Sequence, residues 1–312
     1  MSDDLEIIRD PNDPNSDWYG AREQDERAFT RVAVLGAGTM GHGIAQVCAM
    51  AGWGVTLYDV DLVAVEMGME RIRKNLDKGV QLGKVAAAVR ETTVAGLSTS
   101  TDLEEALEGA GLVIEAAPEK LEIKKEIFFR VEEKVADDTI LASNTSSISI
   151  DTIAGVLEHP ARFLGLHFFN PVFIMDLVEI VVGEKTSQET LDIAARFVTR
   201  LDKEPVVVRD TPGFASSRLG VALGLEAMRM LEAGVATAES IDKAMELGYR
   251  HPMGPLKLTD LVGLDVRLGI AEYLHEELGS EVFRPPEILR RMVAEGKTGK
   301  KAGEGFYDWR DA

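Results

Sequence analysis

The chain has 312 residues, enough for two medium-sized domains that each bury a core. With 45% apolar and 28% charged residues it has an ordinary globular composition, which argues against collagen-like, disordered and membrane-spanning proteins. The formal net charge of -19 repels a phosphate backbone, so we expect no nucleic-acid partner, and any anionic ligand needs a specific pocket.

The N-terminal residues 1–29 are predicted to form an acidic, flexible tail. Nine acidic residues and three arginines lie within the first 28 positions, and the segment Pro11-Asn12-Asp13-Pro14-Asn15 favours turns. The N-terminus lacks the basic and apolar regions of a secretory signal, and no apolar run is long enough to span a bilayer. We therefore expect a cytoplasmic protein without a membrane partner.

The composition predicts neither a disulfide nor a metal site. Cys48 is the only cysteine, and its apolar helical setting is typical of a small core residue. The five histidines, at positions 42, 159, 167, 251 and 275, lack the spacing of zinc ligands.

Strands and helices are predicted to alternate from residue 31 onwards, which indicates an α/β fold with a Rossmann-type, doubly wound parallel sheet. Short apolar runs of the buried-strand type lie at 32–35, 55–58, 111–114 and 139–142. Between the second strand and Ala110 the helical segments are longer than a simple crossover, which predicts an inserted helical hairpin.

The β-rich pattern stops after Asp210-Thr211-Pro212-Gly213. The later runs 219–234 and 241–248 are typical of amphipathic helices. We therefore predict a Rossmann-type domain over residues 30–209, which includes the inserted hairpin, and an all-helical C-terminal domain over residues 210–312.

A glycine-rich turn joins the first predicted strand to the first helix. Its sequence, Gly36-Ala37-Gly38-Thr39-Met40-Gly41, matches the dinucleotide-binding pattern G-x-G-x-x-G. In that pattern the first glycine allows the tight turn, the second lets the backbone approach a pyrophosphate, and the third brings the helix against the strand. The alternative is a tight turn with packing glycines and no ligand.

Asp59 ends the second predicted strand, 23 residues after Gly36. An acidic residue about 20 positions after the first glycine accepts hydrogen bonds from the adenosine ribose of NAD and repels the 2′-phosphate of NADP. No lysine or arginine directly follows Asp59, so the sequence predicts NAD as the cofactor. Asp61 fits the alternative role, the N-cap of the next helix, at least as well as Asp59.

A second group of polar residues lies in apolar surroundings further along the chain. His167 and Asn170 lie in the run 164–171, Asn144-Thr145-Ser146-Ser147 precedes it, and Glu179 interrupts the apolar run 177–182. A lone histidine in such a setting is usually a core residue, but a buried carboxylate is costly unless it is paired. We therefore expect Glu179 to pair with His167.

The chain resembles the 3-hydroxyacyl-CoA dehydrogenases, including 3-hydroxybutyryl-CoA dehydrogenases, and the resemblance extends from Arg31 to Trp309. The shared motifs are 36–41, Ile114-Glu115-Ala116-Ala117-Pro118-Glu119, Ser143-Asn144-Thr145-Ser146-Ser147, His167-Phe168-Phe169-Asn170-Pro171, Asp210-Thr211-Pro212-Gly213-Phe214 and Pro252-Met253-Gly254-Pro255. The resemblance implies an NAD-binding N-terminal domain, a helical C-terminal domain that builds most of a homodimer interface, and an acyl-CoA substrate between the domains.

The resemblance also implies roles for residues at the reacting centre. His167 would be the general base when the alcohol is oxidised, and Glu179 would hold its tautomer and stabilise the imidazolium. A neutral imidazole suits this task because it accepts a proton near neutral pH. Ser146 would bond the substrate oxygen, and Asn170 would help to place the nicotinamide end of NAD.

Three further residues match family positions that contact NAD, namely Glu119, Lys124 and Lys301. For the two lysines the alternative is an ordinary solvated charge.

The chain departs from the family pattern at two positions. Ser217 stands where typical members have an asparagine that polarises the substrate, and a hydroxyl is shorter and less fixed than an amide. Met67 stands where many members have a lysine near CoA, so the CoA phosphates would instead meet Arg71, Arg73 or Lys74. Both changes bear on acyl-chain preference and efficiency more than on the reaction type.

Three other functions compete with this interpretation. A hydrolase could use Ser146, His167 and Glu179 as a triad, but no G-x-S-x-G motif surrounds the serine. A related NAD-dependent dehydrogenase could act on a free hydroxy or sugar acid, although that group usually has Pro-Pro after the asparagine. A catalytically weak, nucleotide-binding relative is the third alternative; the intact His167 and Glu179 argue against it, and Ser217 leaves it open.

Overall fold

The computed structural model describes residues 29–310, so all but the last residue of the predicted acidic tail lies outside the described residues. The described chain divides into two compact units, one ending at Asp210 and the other beginning at Thr211. The boundary predicted from the sequence, between residues 209 and 210, lies one residue before this division.

The N-terminal unit is built on a sheet that has eight strands within residues 29–210. The strands are β1 (Arg31–Leu35), β2 (Gly54–Tyr58), β3 (Leu97–Ser100), β4 (Leu112–Glu115), β5 (Ile140–Ser143), β6 (Phe163–Phe168), β7 (Leu177–Val182) and β8 (Glu204–Arg209). Their order across the sheet is β3-β2-β1-β4-β5-β6-β7-β8. The four predicted strands correspond to β1, β2, β4 and β5, and the predicted Rossmann-type fold is confirmed.

The sheet departs from a purely parallel arrangement at one pair, because β7 runs antiparallel to β6 while β8 is again parallel to β7. The connection between β6 and β7 covers only residues 169–176. A parallel crossover needs a dozen residues or more, whereas antiparallel strands can be joined by a short segment. This geometry places His167 and Glu179 on neighbouring strands.

Helices pack against the sheet. In the N-terminal unit they are α1 (Gly41–Met50), α2 (Leu62–Gln81), α3 (Ala87–Ala95), α4 (Leu103–Leu107), α5 (Leu121–Glu132), α6 (Ile150–Ala154) and α7 (Gln188–Arg200). Helices α2 and α3 lie where the inserted hairpin was predicted and contact each other and α1. The predicted core residue Cys48 is fully buried in α1, and burial raises the pKa of its thiol.

The C-terminal unit is helical, as predicted. Its helices are α8 (Ser216–Glu232), α9 (Ala238–Gly248), α10 (Pro255–Val262), α11 (Leu264–Leu278) and α12 (Glu287–Ala294). An apolar core that includes Val221, Leu256 and Leu274 holds them together. The buried carboxylate of Asp260 accepts hydrogen bonds from the backbone of Phe306 and Tyr307, which fixes the C-terminal segment to α10.

Among residues 29–310, no helix has the length and apolar character that crossing a membrane requires.

Candidate active site

The glycine-rich turn begins directly after β1 and leads into α1. Gly36 has φ +108°, and a Cβ there would lie 2.6 Å from the carbonyl oxygen of Ala116. A Cβ at Gly41 would lie 1.7 Å from the oxygen of Gly36, whereas one at Gly38 would meet no atom within 4 Å. Gly36 and Gly41 are therefore required by the fold, and Gly38 leaves open space in which a ligand can approach the backbone.

A cavity of about 610 Å³ lies at the carboxyl ends of β1, β2 and β4. It is lined by most of the predicted cofactor residues of this region, namely Gly36, Gly38, Thr39, Met40 and Asp59. In an open α/β sheet this edge is where nucleotides bind. The position and the lining residues of the cavity therefore fit the adenosine half of a dinucleotide.

Asp59 and Asp61 have separate roles at the end of β2. Asp61 is the N-cap of α2, because its Oδ1 accepts the N–H of Val63 at 2.9 Å. Asp59 instead lines the cavity, where its Oδ2 accepts the N–H of Ala37 at 2.9 Å. This bond ties the carboxylate to the glycine-rich turn and favours the ribose-binding interpretation of Asp59.

The sequence analysis missed a cation in this cavity. Arg130, on α5, lines it together with Asp59, although 71 positions separate the two residues. Only the residues next to Asp59 had been considered, and no local pattern marks Arg130.

His167 and Glu179 form a direct cross-strand pair between β6 and β7. His167 Nδ1 lies 2.7 Å from Glu179 Oε2, and the two residues are 5% and 1% exposed. The expected pairing is therefore present. With an ionised Glu179, Nδ1 carries the proton of a neutral ring, and Nε2 is then the nitrogen able to accept one.

Lys124 is not a solvated helix charge, so that interpretation of the sequence is wrong. Its side chain is 1% exposed, and Nζ donates to both carboxylate oxygens of Glu115 at 2.8 and 3.0 Å. Nζ also lies 3.2 Å from Glu119 Oε2. Glu115 ends the apolar strand β4 and accepts the hydroxyl of Ser143 at 2.6 Å. Its place in an apolar run was a signal that the sequence analysis used for Glu179 but not here.

Glu119 holds the segment that carries Ser146. Its Oε1 accepts the hydroxyl of Thr145 at 2.6 Å and the N–H groups of Ser146 and Ser147 at 2.9 and 3.3 Å. Burial would raise the pKa of Glu119, but the charge of Lys124 and these hydrogen bonds outweigh it and hold the pKa below its usual value.

A side chain at the end of β5 joins the serine segment to the histidine strand. Asn144 Oδ1 accepts the N–H of Phe168 at 2.9 Å, one residue after His167. Asn170 follows β6 and is exposed. The ring centroids of Phe169 and His167 lie 4.5 Å apart. The carboxyl ends of β4, β5 and β6 thus carry the Glu119, Ser146 and His167 regions side by side.

Two predicted site residues belong to the C-terminal unit. Ser217 is the second residue of α8 and is half-buried. Lys301 is about half exposed, and its Nζ lies 2.6 Å from Asp265 Oδ2. Its charge is therefore paired within this unit, and its contact with NAD stays a prediction.

Two family models together match almost the whole described chain. The 3-hydroxyacyl-CoA dehydrogenase NAD-binding domain matches residues 31–211, and the 3-hydroxyacyl-CoA dehydrogenase C-terminal domain matches residues 213–309. The cofactor predicted from Asp59 is therefore confirmed as NAD.

Curated relatives and solved structures agree with these models. The 3-hydroxybutyryl-CoA dehydrogenase of Mycobacterium tuberculosis is 45% identical over 287 residues, which cover 90% of this chain and 99% of that protein. The mitochondrial hydroxyacyl-coenzyme A dehydrogenase of Sus scrofa is 43% identical, covering 89% of this chain and 91% of that protein. The crystal structure of (S)-3-hydroxybutyryl-CoA dehydrogenase PaaH1 from Ralstonia eutropha superposes with a TM-score of 0.87 at 39% identity, covering 90% of this chain and 99% of that one. The chain therefore belongs to the 3-hydroxyacyl-CoA dehydrogenase family, NAD-dependent oxidoreductases that act on a CH–OH group.

Proposed function

We propose that this enzyme interconverts short-chain L-3-hydroxyacyl-CoA and 3-ketoacyl-CoA, with His167 as the proton-transfer group. The observation that carries the proposal is the buried His167–Glu179 pair, on the same sheet as the dinucleotide turn. The short chain length is supported by the relatives of Mycobacterium tuberculosis and Ralstonia eutropha, both named for 3-hydroxybutyryl-CoA.

In the oxidising direction, Nε2 of His167 takes the proton from the 3-hydroxyl group of the substrate. Glu179 keeps the other ring proton on Nδ1 and stabilises the imidazolium that forms, since an opposite charge in a buried site favours the charged ring. NAD, when bound, supplies the acceptor for the hydride that leaves C3. In the reducing direction the same imidazolium returns its proton to the oxygen.

The surrounding residues orient the substrate and exclude water. The Ser146 hydroxyl donates to the substrate oxygen, and Glu119 fixes the backbone of Ser146 for this purpose. Asn170 places the nicotinamide end, and Asp59 receives the adenosine ribose. Lys124 acts on this site through Glu119, and the roles of Lys301 and Ser217, which belong to the C-terminal unit, stay predictions.

We also infer a homodimer that forms through the C-terminal unit. Large apolar side chains are exposed in this unit, among them Leu219 72%, Leu247 79%, Tyr249 76% and Val266 44%. Exposed apolar side chains of this size can form an association surface, and the family resemblance implies that the C-terminal unit carries it. Sedimentation equilibrium tests this inference, and a monomer at micromolar concentration would contradict it. The cytoplasmic location stays a prediction from the sequence.

A steady-state assay tests the enzymatic proposal. NADH oxidation is followed by absorbance with acetoacetyl-CoA and with medium- and long-chain 3-ketoacyl-CoA substrates. We expect the highest kcat/KM with acetoacetyl-CoA and the loss of most activity in His167→Gln with its fold retained. Equal turnover by this variant would exclude His167 as the proton-transfer group, and a preference for long chains would contradict the substrate assignment.

A further inference from the structure

The connection 169–176 between β6 and β7 joins the strand of His167 to the strand of Glu179 and carries Asn170 near its start. Its centre is a tight turn, in which the N–H groups of Ile174 and Met175 donate to the carbonyl oxygen of Pro171 at 2.9 and 3.0 Å. The position of this turn therefore determines where Asn170 lies relative to His167.

Three side chains of the turn remain partly exposed to solvent. Phe173, Ile174 and Met175 are 40%, 62% and 39% exposed. Val172 is the exception, since it is 2% exposed and packs on α1 at Gly43, where a Cβ would come within 2.9 Å of the valine. Val172 is thus the one buried side chain among residues 172–175, and polar bonds attach the turn as well.

Lys203, the residue before β8, supplies those bonds. Its Nζ donates to the carbonyl oxygens of Val172 at 2.7 Å and Met175 at 2.6 Å. The next residue, Glu204, donates its backbone N–H to the carbonyl oxygen of Asp176 at 2.7 Å, which attaches the end of the connection to β8 as well. The ammonium thus bridges the carbonyl groups of Val172 and Met175.

Placing this ammonium here is costly. Lys203 is 9% exposed, and burial lowers its pKa, while the charges of Asp176 and Asp202 oppose that shift. An apolar side chain would fill the same space without the cost of desolvating a cation, but it could not bond the two carbonyl groups. The cation is therefore best explained by a need for a fixed turn.

We propose that Lys203 is a positioning residue for hydride transfer, which holds the 169–176 connection so that Asn170 and Phe169 keep their places beside His167. Phe169 links the connection directly to His167, because its ring lies against the imidazole. The inference rests on the proposed roles of His167 and Asn170.

The substitution Lys203→Met tests the proposal, because it keeps the unbranched stem and removes the donors. We expect kcat for acetoacetyl-CoA reduction to fall about 10- to 100-fold, the range that follows from a displacement of about 1 Å at a reacting centre. The KM for NADH should stay within about threefold, since the glycine-rich turn that binds most of the dinucleotide is not touched. Hydrogen exchange should become faster at the amides of Ile174 and Met175 and remain unchanged in β1 and β4. Lys185→Met, at an exposed site in the same unit, is the matched control and should alter none of these quantities.

A double-mutant cycle with Asn170→Ala separates positioning from general stability. If Lys203 acts through the connection, the double variant loses little more kcat than the slower single variant, whereas independent effects multiply. Multiplying effects, or an unchanged kcat in Lys203→Met despite faster exchange, would overturn the inference. Should the methionine variant not fold, Lys203→Arg replaces it under the same criteria, because the larger guanidinium must displace the two carbonyl groups. A wild-type enzyme inactive on all 3-ketoacyl-CoA substrates would contradict the proposed function, and not this inference alone.

Discussion

Glu179 faces His167 directly across the antiparallel β6–β7 ladder, with its Oε2 2.7 Å from the imidazole Nδ1. A shift of the register by one residue would turn one of these side chains to the opposite face of the sheet. The pairing of base and carboxylate is thus built into the strand register.

Glu179→Gln tests the contribution of the carboxylate. We expect kcat to fall about 100-fold or more, because an amide neither stabilises the imidazolium nor selects the tautomer with a proton on Nδ1. The double variant with His167→Gln should be about as slow as His167→Gln alone, since the two residues act as one unit. NADH absorbance gives kcat, and thermal unfolding verifies that each variant is folded. A double variant that is far slower than either single variant would show that Glu179 acts independently of His167.

The glycine-rich turn and the His167–Glu179 pair could be predicted because each leaves a local mark, a glycine spacing or a charge in an apolar run. Glu115 leaves the same kind of mark in β4, but its partners do not, since Lys124 lies on α5 and Ser143 on the neighbouring strand β5. Lys203 binds backbone carbonyl groups, which leave no signature in side-chain types. Long-range contacts of this kind follow from the strand order and not from motif spacing.

Glu119 makes stability depend on pH in a defined direction. Its pKa in the folded protein lies below the ordinary 4.5, so its ionised form stabilises the folded state above about that pH. The stabilisation is lost as the pH falls through the lowered folded pKa. We expect the difference in unfolding free energy between wild type and Glu119→Gln to shrink between pH 6 and pH 3. Urea unfolding at each pH measures it, with the exposed Glu122→Gln in the first turn of α5 as the control. A difference that grows towards low pH would contradict the assignment.

Asp59 and Arg130 line the same cavity, where a carboxylate repels a 2′-phosphate and a guanidinium attracts it. We expect wild type to prefer NADH strongly, because the Asp59 carboxylate repels the phosphate of NADPH. Asp59→Ser should lower kcat/KM for NADH and raise it for NADPH, since Arg130 then lines the cavity without the opposing carboxylate of Asp59. Adding Arg130→Ala should remove the gain with NADPH. Comparable efficiency of the wild type with both cofactors would show that Asp59 does not discriminate, and an unchanged NADPH gain in the double variant would exclude Arg130.

Ser217 stands at a predicted site position where the family resemblance implies an asparagine. It begins α8 in a half-buried setting, where a serine hydroxyl reaches less far than the amide of the asparagine found in typical members. A hydrogen bond to the substrate oxygen then either spans a water molecule or requires a different substrate position. We therefore expect Ser217→Asn to change kcat or the chain-length profile by several fold, and Ser217→Ala to lower kcat if the hydroxyl itself is used. The assay is kcat/KM for acetoacetyl-CoA and for medium-chain 3-ketoacyl-CoA substrates. Identical profiles for all three proteins would remove position 217 from the substrate site, because neither a longer donor nor the absence of one would then affect the reacting oxygen.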